Sequence, residues 1–136
     1  VYGTRQRPDL AIYKFAKLML EGKPIPVFGE GTTARDYTYI TDILDGIVAC
    51  TEHEFGYEIF NLGESQVTSL NRMIELLEDA LGRKAVIDRQ PVQAGDVPLT
   101  YADISKAQAR LGYDPKVKIE QGIRLFVDWF RSDELR

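Results

Sequence analysis

The sequence predicts an α/β domain of mixed short strands and helices, and a few plain observations carry that prediction. Apolar residues recur at helical spacing in several segments, most of which run into a glycine, and short runs rich in strand formers lie between them. The regular strand-helix-strand rhythm of a complete doubly wound sheet is missing. With 136 residues, 44% of them apolar, the chain is long enough to bury one core.

Taken in order, the first helix is expected over residues 9–20, with Asp9 as its N-cap, Ile12, Phe15, Ala16 and Met19 on one face, and Gly22 to end it. Lys23-Pro24-Ile25-Pro26-Val27-Phe28 reads as an extended edge segment, because each proline removes a ladder donor and pushes its predecessor out of helical geometry. Residues 30–34 form a loop, with Gly29 and Gly31 on either side of Glu30, followed by a short strand over 36–39 and a helix over about 42–53. Residues 57–62 alternate and are rich in strand formers, which predicts a further strand. Ser69 caps a helix with Met73, Ile74, Leu76, Leu77 and Leu81 inward and Gly82 at its end. A strand over 85–89, a polar loop over 90–100, a short helix over 104–111 ending at Gly112, and an amphipathic helix over 119–131 with Ile123, Phe126, Val127 and Phe130 inward complete the chain. No internal repeat or low-complexity segment occurs.

Composition narrows the function. Seventeen Lys and Arg against 21 Asp and Glu give a net charge of −4 without a long basic run, which argues against nucleic acid as a partner but leaves small anionic ligands open. Cys50 is the single cysteine and His53 the single histidine, so neither an intrachain disulfide nor a multi-Cys or His-pair metal site is expected. His53 falls at a helix end, where it suits the last carbonyls, and Cys50 lies on an apolar face. No apolar run approaches a membrane span, so the expected location is the cytoplasm without a membrane partner. The opening Val1-Tyr2-Gly3-Thr4 does not read as a natural initiation, and a fragment is one reading of the chain.

Several residues suit ligand chemistry on their own terms. Arg35 beside Asp36 reads as a structural ion pair or as a guanidinium able to grip closely spaced anionic oxygens. Phe28 fits core packing or the face of a base, and Asp96 after Gly95 fits a turn or a carboxylate accepting two hydroxyls. Arg5-Gln6-Arg7-Pro8-Asp9 ahead of a helix reads as a solvated charge cluster or as a cationic clamp. Gly29-Glu30-Gly31 lacks the preceding long strand and following helix that a dinucleotide loop requires.

Five stretches, in order along the chain, carry a resemblance. They are Val1-Tyr2-Gly3-Thr4-Arg5-Gln6-Arg7-Pro8-Asp9, Pro24-Ile25-Pro26-Val27-Phe28-Gly29-Glu30-Gly31, Arg35-Asp36-Tyr37-Thr38-Tyr39-Ile40-Thr41-Asp42, Phe60-Asn61-Leu62-Gly63 and Gly95-Asp96-Val97-Pro98. As an ordered set they resemble the extended short-chain dehydrogenase/reductase family of NAD-dependent sugar-nucleotide epimerases and dehydratases. The resemblance implies that residues 1–136 are the carboxyl-terminal, nucleotide-sugar-binding portion of an extended Rossmann-fold epimerase. The family's amino-terminal Rossmann half, with its Gly-rich NAD loop and its Tyr-x-x-x-Lys pair, has no counterpart in this sequence.

By the same resemblance Arg35 holds the diphosphate with Tyr37 near it, Asp36 is structural, Phe28 flanks the uracil with Val27 supplying main-chain bonds, and Asp96 takes the ribose hydroxyls. Many family members carry an arginine where this chain has Gln93, so either Gln93 donates neutrally or Arg89 compensates. The Arg7-Pro8-Asp9 form is similar to the UDP-glucuronate 4-epimerases and makes Arg7 the candidate for the sugar carboxylate. The implied ligand is a UDP-sugar, the implied cofactor of the whole enzyme is NAD, the missing Rossmann half is an implied partner and a homodimer is open. The chain by itself is expected to be inactive, with no catalytic, cofactor-binding or metal residue of its own. Alternatives within the resemblance are a UDP-glucose/galactose 4-epimerase portion, a dehydratase portion, or a non-catalytic nucleotide-sugar-binding module.

Overall fold

A computed structural model describes residues 1–133. Its elements are α1 (Ala11–Leu20), β1 (Ile25–Phe28), β2 (Ala34–Asp36), α2 (Ile40–Thr51), β3 (Val67–Ser69), α3 (Leu70–Leu81), β4 (Ile87–Gln90), α4 (Ser105–Leu111) and α5 (Ile119–Asp133). The strands form two separate pairs. β1 runs parallel to β4 with Ile25 opposite Ile87 and Phe28 opposite Gln90, and β2 runs antiparallel to β3 with Arg35 opposite Thr68.

The main core gathers α1, β1, α3 and α5. Ile12, Ala16, Met73, Leu77, Ile123 and Phe126 are wholly buried there, as the helical apolar patterns predicted, and Ile25 and Val27 of β1 are buried with them. The Tyr13 ring meets Phe130 edge-on at 5.0 Å, tying α1 to α5 in a geometry that aromatic quadrupoles favour. α3 shows most clearly why its sequence makes a helix. Ser69 Oγ accepts the Arg72 N–H at 3.2 Å, the apolar stripe faces inward, and Gly82 ends the helix in left-handed geometry at φ 65°.

A smaller cluster forms on the other side. Ile104, Ala107, Leu111 and Tyr113 are buried, and Ala49, Cys50, Phe60 and Leu62 pack against them, so Cys50 is half-buried packing. His53 Nδ1 lies 2.8 Å from the Ala49 carbonyl near the end of α2, the helix-end role read from its position.

The structure corrects the sequence reading in specific places. Residues 57–62 form no strand and pair with none among the described residues, and Tyr57 and Ile59 are 84% and 64% exposed. β-propensity alone does not make a strand, because a ladder needs a neighbour. Here Lys106 Nζ takes the Ile59 carbonyl and Asn61 Nδ2 donates to the Asp103 carbonyl instead. The short strand expected over 36–39 lies earlier, at Ala34–Asp36, where its partner β3 supplies three facing residues; Tyr39 keeps a single bridge, to Tyr2. β4 is displaced by two residues at its start from the strand expected over 85–89.

Asp9 does not cap α1. The N-cap residue is Leu10, with no side-chain bond to the first turn, because both Asp9 oxygens are taken by the Arg7 guanidinium at 3.1 and 2.7 Å. A charged guanidinium fork two residues away outcompetes the neutral backbone N–H donors of the first turn for the Asp9 oxygens. Gly29-Glu30-Gly31 is a clamp on α3. Asn71 N donates to the Gly31 carbonyl and Asn71 Nδ2 to the Glu30 carbonyl, both at 3.0 Å, and a Cβ on Gly31 would fall 2.0 Å from the Asn71 side chain. No helix among the described residues is long and apolar enough to cross a membrane.

Candidate nucleotide-sugar site

β2 positions the first part of the site. Its residues Arg35 and Asp36 point to opposite sides, as strand alternation requires. Asp36 faces inward and organises the backbone around it. Its Oδ1 accepts the Glu64 N–H at 2.9 Å, and its Oδ2 accepts the N–H groups of Ser65 at 3.1 Å and Ala102 at 3.2 Å. Gly63 must be glycine for this, since a Cβ there would lie 2.9 Å from Asp36 Oδ2 and 2.6 Å from Ala102 Cβ. The structural role expected of Asp36, and the Asn61-Leu62-Gly63 motif, have one cause.

Arg35 points the other way. One guanidinium nitrogen donates to the Ala34 carbonyl at 3.0 Å and the other to Asp96 Oδ1 at 2.5 Å, across 61 residues of sequence. Asp96 reaches it because the 91–100 loop is stitched to β2: Ala34 N donates to the Pro98 carbonyl at 2.9 Å and Thr100 N to the Ala34 carbonyl at 3.1 Å. Inside the loop Asp96 N donates to the Gln93 carbonyl at 3.2 Å, and Gly95 takes φ 87° to close that turn.

Arg35, Tyr37 and Asp96 border one hollow of about 430 Å³, together with Tyr2, Gln6, Leu10, Ala11, Ile12, Leu70 and Thr100. Burial pushes the Tyr37 phenol above its ordinary value while Arg35 pulls it back, so at neutral pH it is a hydroxyl donor. The uncapped start of α1 forms part of the same wall. Since Leu10 offers no side-chain acceptor, the first-turn N–H groups of α1 have no capping side chain, and Leu10, Ala11 and Ile12 at that helix start border the same hollow as Arg35. The arrangement suits an elongated ligand with a doubly anionic middle, an apolar wall on one side and a carboxylate at one end.

Arg7 is elsewhere. It borders a smaller adjoining hollow of about 150 Å³ with Tyr2, Gln6, Leu10 and Ile40, and its side chain is 73% exposed in its pair with Asp9. Val27 is fully buried in β1 opposite Arg89, and Phe28 is half-buried opposite Gln90; neither borders the large hollow. Gln93 is exposed and enters only through its carbonyl in the Asp96 turn. Arg89, its alternative, donates to the Gly29 carbonyl at 2.9 Å and so braces the loop after β1. The structure therefore joins Arg35, Tyr37 and Asp96, and leaves Arg7, Val27, Phe28 and Gln93 around them.

Sequence reading missed two contributors, Gln6 and the first turn of α1. Gln6 gave no signal, because it is turned inward by Arg5, which holds a left-handed φ of 59° without being glycine. The first turn was assigned to Asp9, and the competing Arg7 two residues before it was the available warning.

A second hollow of about 470 Å³ opens on the far side of Asp36 between Phe60 and Tyr101, and it holds none of the candidate residues. Beneath it Glu64 is 5% exposed and pairs with Lys118. Burial raises the Glu64 carboxyl above its ordinary range, and Lys118 offsets part of that rise. Among the described residues no group of His, Cys, Asp and Glu is placed to hold a metal ion, and no strand, Gly-rich loop and helix unit is present to hold a dinucleotide.

The sequence model of the GDP-mannose 4,6 dehydratase family matches residues 1–126. An uncharacterised protein of Methanocaldococcus jannaschii is 51% identical over 98% of this chain and 41% of its own length. The UDP-glucuronate 4-epimerase of Thermodesulfobacterium geofontis is 44% identical over the same shares. A crystal structure of the UDP-glucuronic acid 4-epimerase of Bacillus cereus, in complex with UDP-glucuronic acid and NAD, superposes with a TM-score of 0.91 at 38% identity, over 96% of this chain and 42% of that one. The chain thus spans about two-fifths of the length of the relatives it matches. With its fold and most of its length accounted for by that match, the chain belongs to the GDP-mannose 4,6 dehydratase family and corresponds to the carboxyl-terminal portion of the NAD-dependent epimerases and dehydratases of the extended short-chain dehydrogenase/reductase class.

Proposed function

We propose that this chain is the UDP-sugar-binding portion of an NAD-dependent epimerase that inverts C4 of UDP-glucuronate through a 4-keto intermediate. The observation that carries the reading is the convergence of Arg35, Tyr37 and Asp96 on one hollow beside the uncapped first turn of α1. A guanidinium and a helix N-terminus on one wall suit a diphosphate, each supplying N–H donors to closely spaced oxygens. In this reading Asp96 accepts ribose hydroxyls, and Phe28, which lies outside the hollow, serves the base by the family resemblance alone. Arg35 and Asp96 hold each other, so the diphosphate and ribose take up groups that are already aligned.

In this reading Arg7 serves the sugar end, where its charge meets the carboxylate of a uronate. Its partner Asp9 is close in sequence and exposed, so the guanidinium turns to a ligand without breaking the fold. A 4-keto uronate is a β-keto acid prone to lose carbon dioxide, and a fixed carboxylate protects it; Arg7→Ala in the whole enzyme is expected to release decarboxylated product, which product analysis by mass reads directly. The described residues do not form a dinucleotide site, so what they contribute is binding and orientation: the nucleotide anchors the substrate while the sugar presents either face. NAD supplies reversible hydride transfer in the whole enzyme.

Calorimetric titration of the chain tests the reading. Binding of UDP and UDP-glucuronate, lost at least tenfold in Arg35→Ala, is the expected result. Absence of UDP binding by the unaltered chain, or binding indifferent to Arg35, contradicts it.

A further inference from the structure

We infer that Gly122, a residue of α5 that borders neither hollow, sets the shape of the ligand site by seating the ring of Tyr2, an inference that rests on the UDP-sugar reading above. Tyr2 borders both hollows, the large one with Arg35 and Asp96 and the smaller one with Arg7, so its ring belongs to the wall between them. The hydroxyl end of that ring meets α5. A Cβ on Gly122 would lie 2.0 Å from the Tyr2 hydroxyl oxygen, 2.7 Å from Cζ and 3.1 Å from Cε2.

The backbone does not call for glycine at this position. Gly122 lies inside a helix and has no positive φ, and there glycine is less favourable than alanine. What glycine permits is the close approach of the ring, which any side chain would prevent.

The surroundings leave the ring one direction of escape. Tyr2 N donates to the Thr38 carbonyl at 3.0 Å and Ile40 N to the Tyr2 carbonyl at 2.8 Å, so the Tyr2 backbone is fixed. α5 is held as well, because just before its first residue Val117 N donates to Asp42 Oδ2 at 2.9 Å and Lys118 pairs with buried Glu64. Tyr39 meets the Tyr2 ring edge-on at 5.5 Å and is itself buried, whereas Tyr37, edge-on at 6.4 Å, is half-buried and borders the large hollow. A ring pushed off α5 therefore tilts toward Tyr37 and the hollows, since a close-packed interior transmits strain.

Gly122 is thus a positioning residue that acts on the ligand through Tyr2. The Tyr2 hydroxyl is buried without a hydrogen-bond partner among the described residues, so Tyr2→Phe breaks no bond while it removes the atom that a Cβ at residue 122 would meet first. The milder conflict with Cζ remains.

Titration of the unaltered chain, Gly122→Ala, Tyr2→Phe and the double variant with UDP and UDP-glucuronate tests the coupling, with thermal unfolding confirming that each is folded. Gly122→Ala is expected to weaken UDP-glucuronate roughly tenfold when made in the unaltered chain, the equivalent of about 1.4 kcal/mol, and about threefold at most when made on top of Tyr2→Phe. A glycine that served helix packing alone would cost the same in both backgrounds. The Gly122 amide resonance of the unaltered chain is a second readout that does not depend on the variant folding, and saturation with UDP-glucuronate is expected to shift it. Failure of the unaltered chain to bind UDP or UDP-glucuronate overturns the underlying reading and this inference with it. Binding with equal Gly122→Ala losses in the two backgrounds, or with no loss in either, overturns this inference alone. So does a Gly122 amide unmoved at saturation, should Gly122→Ala fail to fold.

Discussion

Arg35 and Arg7 border adjoining hollows, and each grips a carboxylate, yet different physics holds them. Arg35 stands on a strand, 27% exposed, and its partner Asp96 is brought from 61 residues away by a loop stitched to that strand. Arg7 stands on a turn, 73% exposed, and its partner Asp9 is two residues along the chain. The first pair exists because the fold exists, and the second would form in almost any conformation of the turn. The lesson is that the Arg35 side is pre-organised by tertiary structure, whereas the Arg7 side is carried by a locally held side chain free to respond to what occupies it.

The largest expected effect tests the foundation of the Arg35 side. Asp36→Ala removes one acceptor from the N–H groups of Glu64, Ser65 and Ala102 together, and an unfolding titration is expected to show a loss of about 3 kcal/mol or more. A loss below about 1 kcal/mol would show that water replaces Asp36 and that β2 is not fixed in the way described. No substitution in the 5–9 loop is expected to approach it.

Next in size is the effect of Arg35→Ala on ligand. Removal of one charge-assisted pair of bonds to a diphosphate corresponds to about 1.5–3 kcal/mol, roughly ten- to a hundredfold in UDP affinity. Arg7→Ala is expected to leave UDP affinity unchanged and to shift the thermal midpoint by no measurable amount. Equal losses from the two substitutions would erase the distinction between the two regions.

A pH measurement sharpens the account of what lies under β2. The Glu64 carboxyl titrates above its ordinary range in the folded chain, first because it is buried and in spite of its bond to Lys118. A raised value means that folding favours the protonated form. The stability it carries is complete below the unfolded value, near pH 4.3, and is lost as pH rises through the folded one. Glu64→Gln is expected to flatten that decline, so the difference between the two chains should change from about pH 4 toward neutrality. A difference constant across that window would contradict the assignment.

The smallest expected effect concerns Cys50 and the second cluster. Cys50→Ala trims a half-buried side chain at its rim, and a destabilisation under about 1 kcal/mol is expected from chemical unfolding.

What was legible in the sequence follows the same division between local and long-range causes. α3 was readable from Ser69 to Gly82, and α5 from the spacing of Ile123, Phe126, Val127 and Phe130, because caps and stripes are short-range signals. The 57–62 segment is no strand, because alternation and β-propensity cannot specify the neighbour that a ladder needs. Asp9 was misread as a cap because Arg7 competes for the same oxygens, a contest decided by charge. In the site, Arg35, Tyr37 and Asp96 were named from motifs, and the fold brings them to one hollow. Gln6 was passed over, since the strained turn at Arg5 that directs it inward leaves no mark in residue type.

Mapping UDP onto the backbone tests the central claim most directly. In a titration followed by amide chemical shifts, the account predicts that the largest changes fall on Leu10, Ala11 and Ile12 at the start of α1, on Arg35 to Tyr37, and on Gln93 to Val97. Changes confined to the α2 and α4 side of the molecule, or none at saturating UDP, would contradict it.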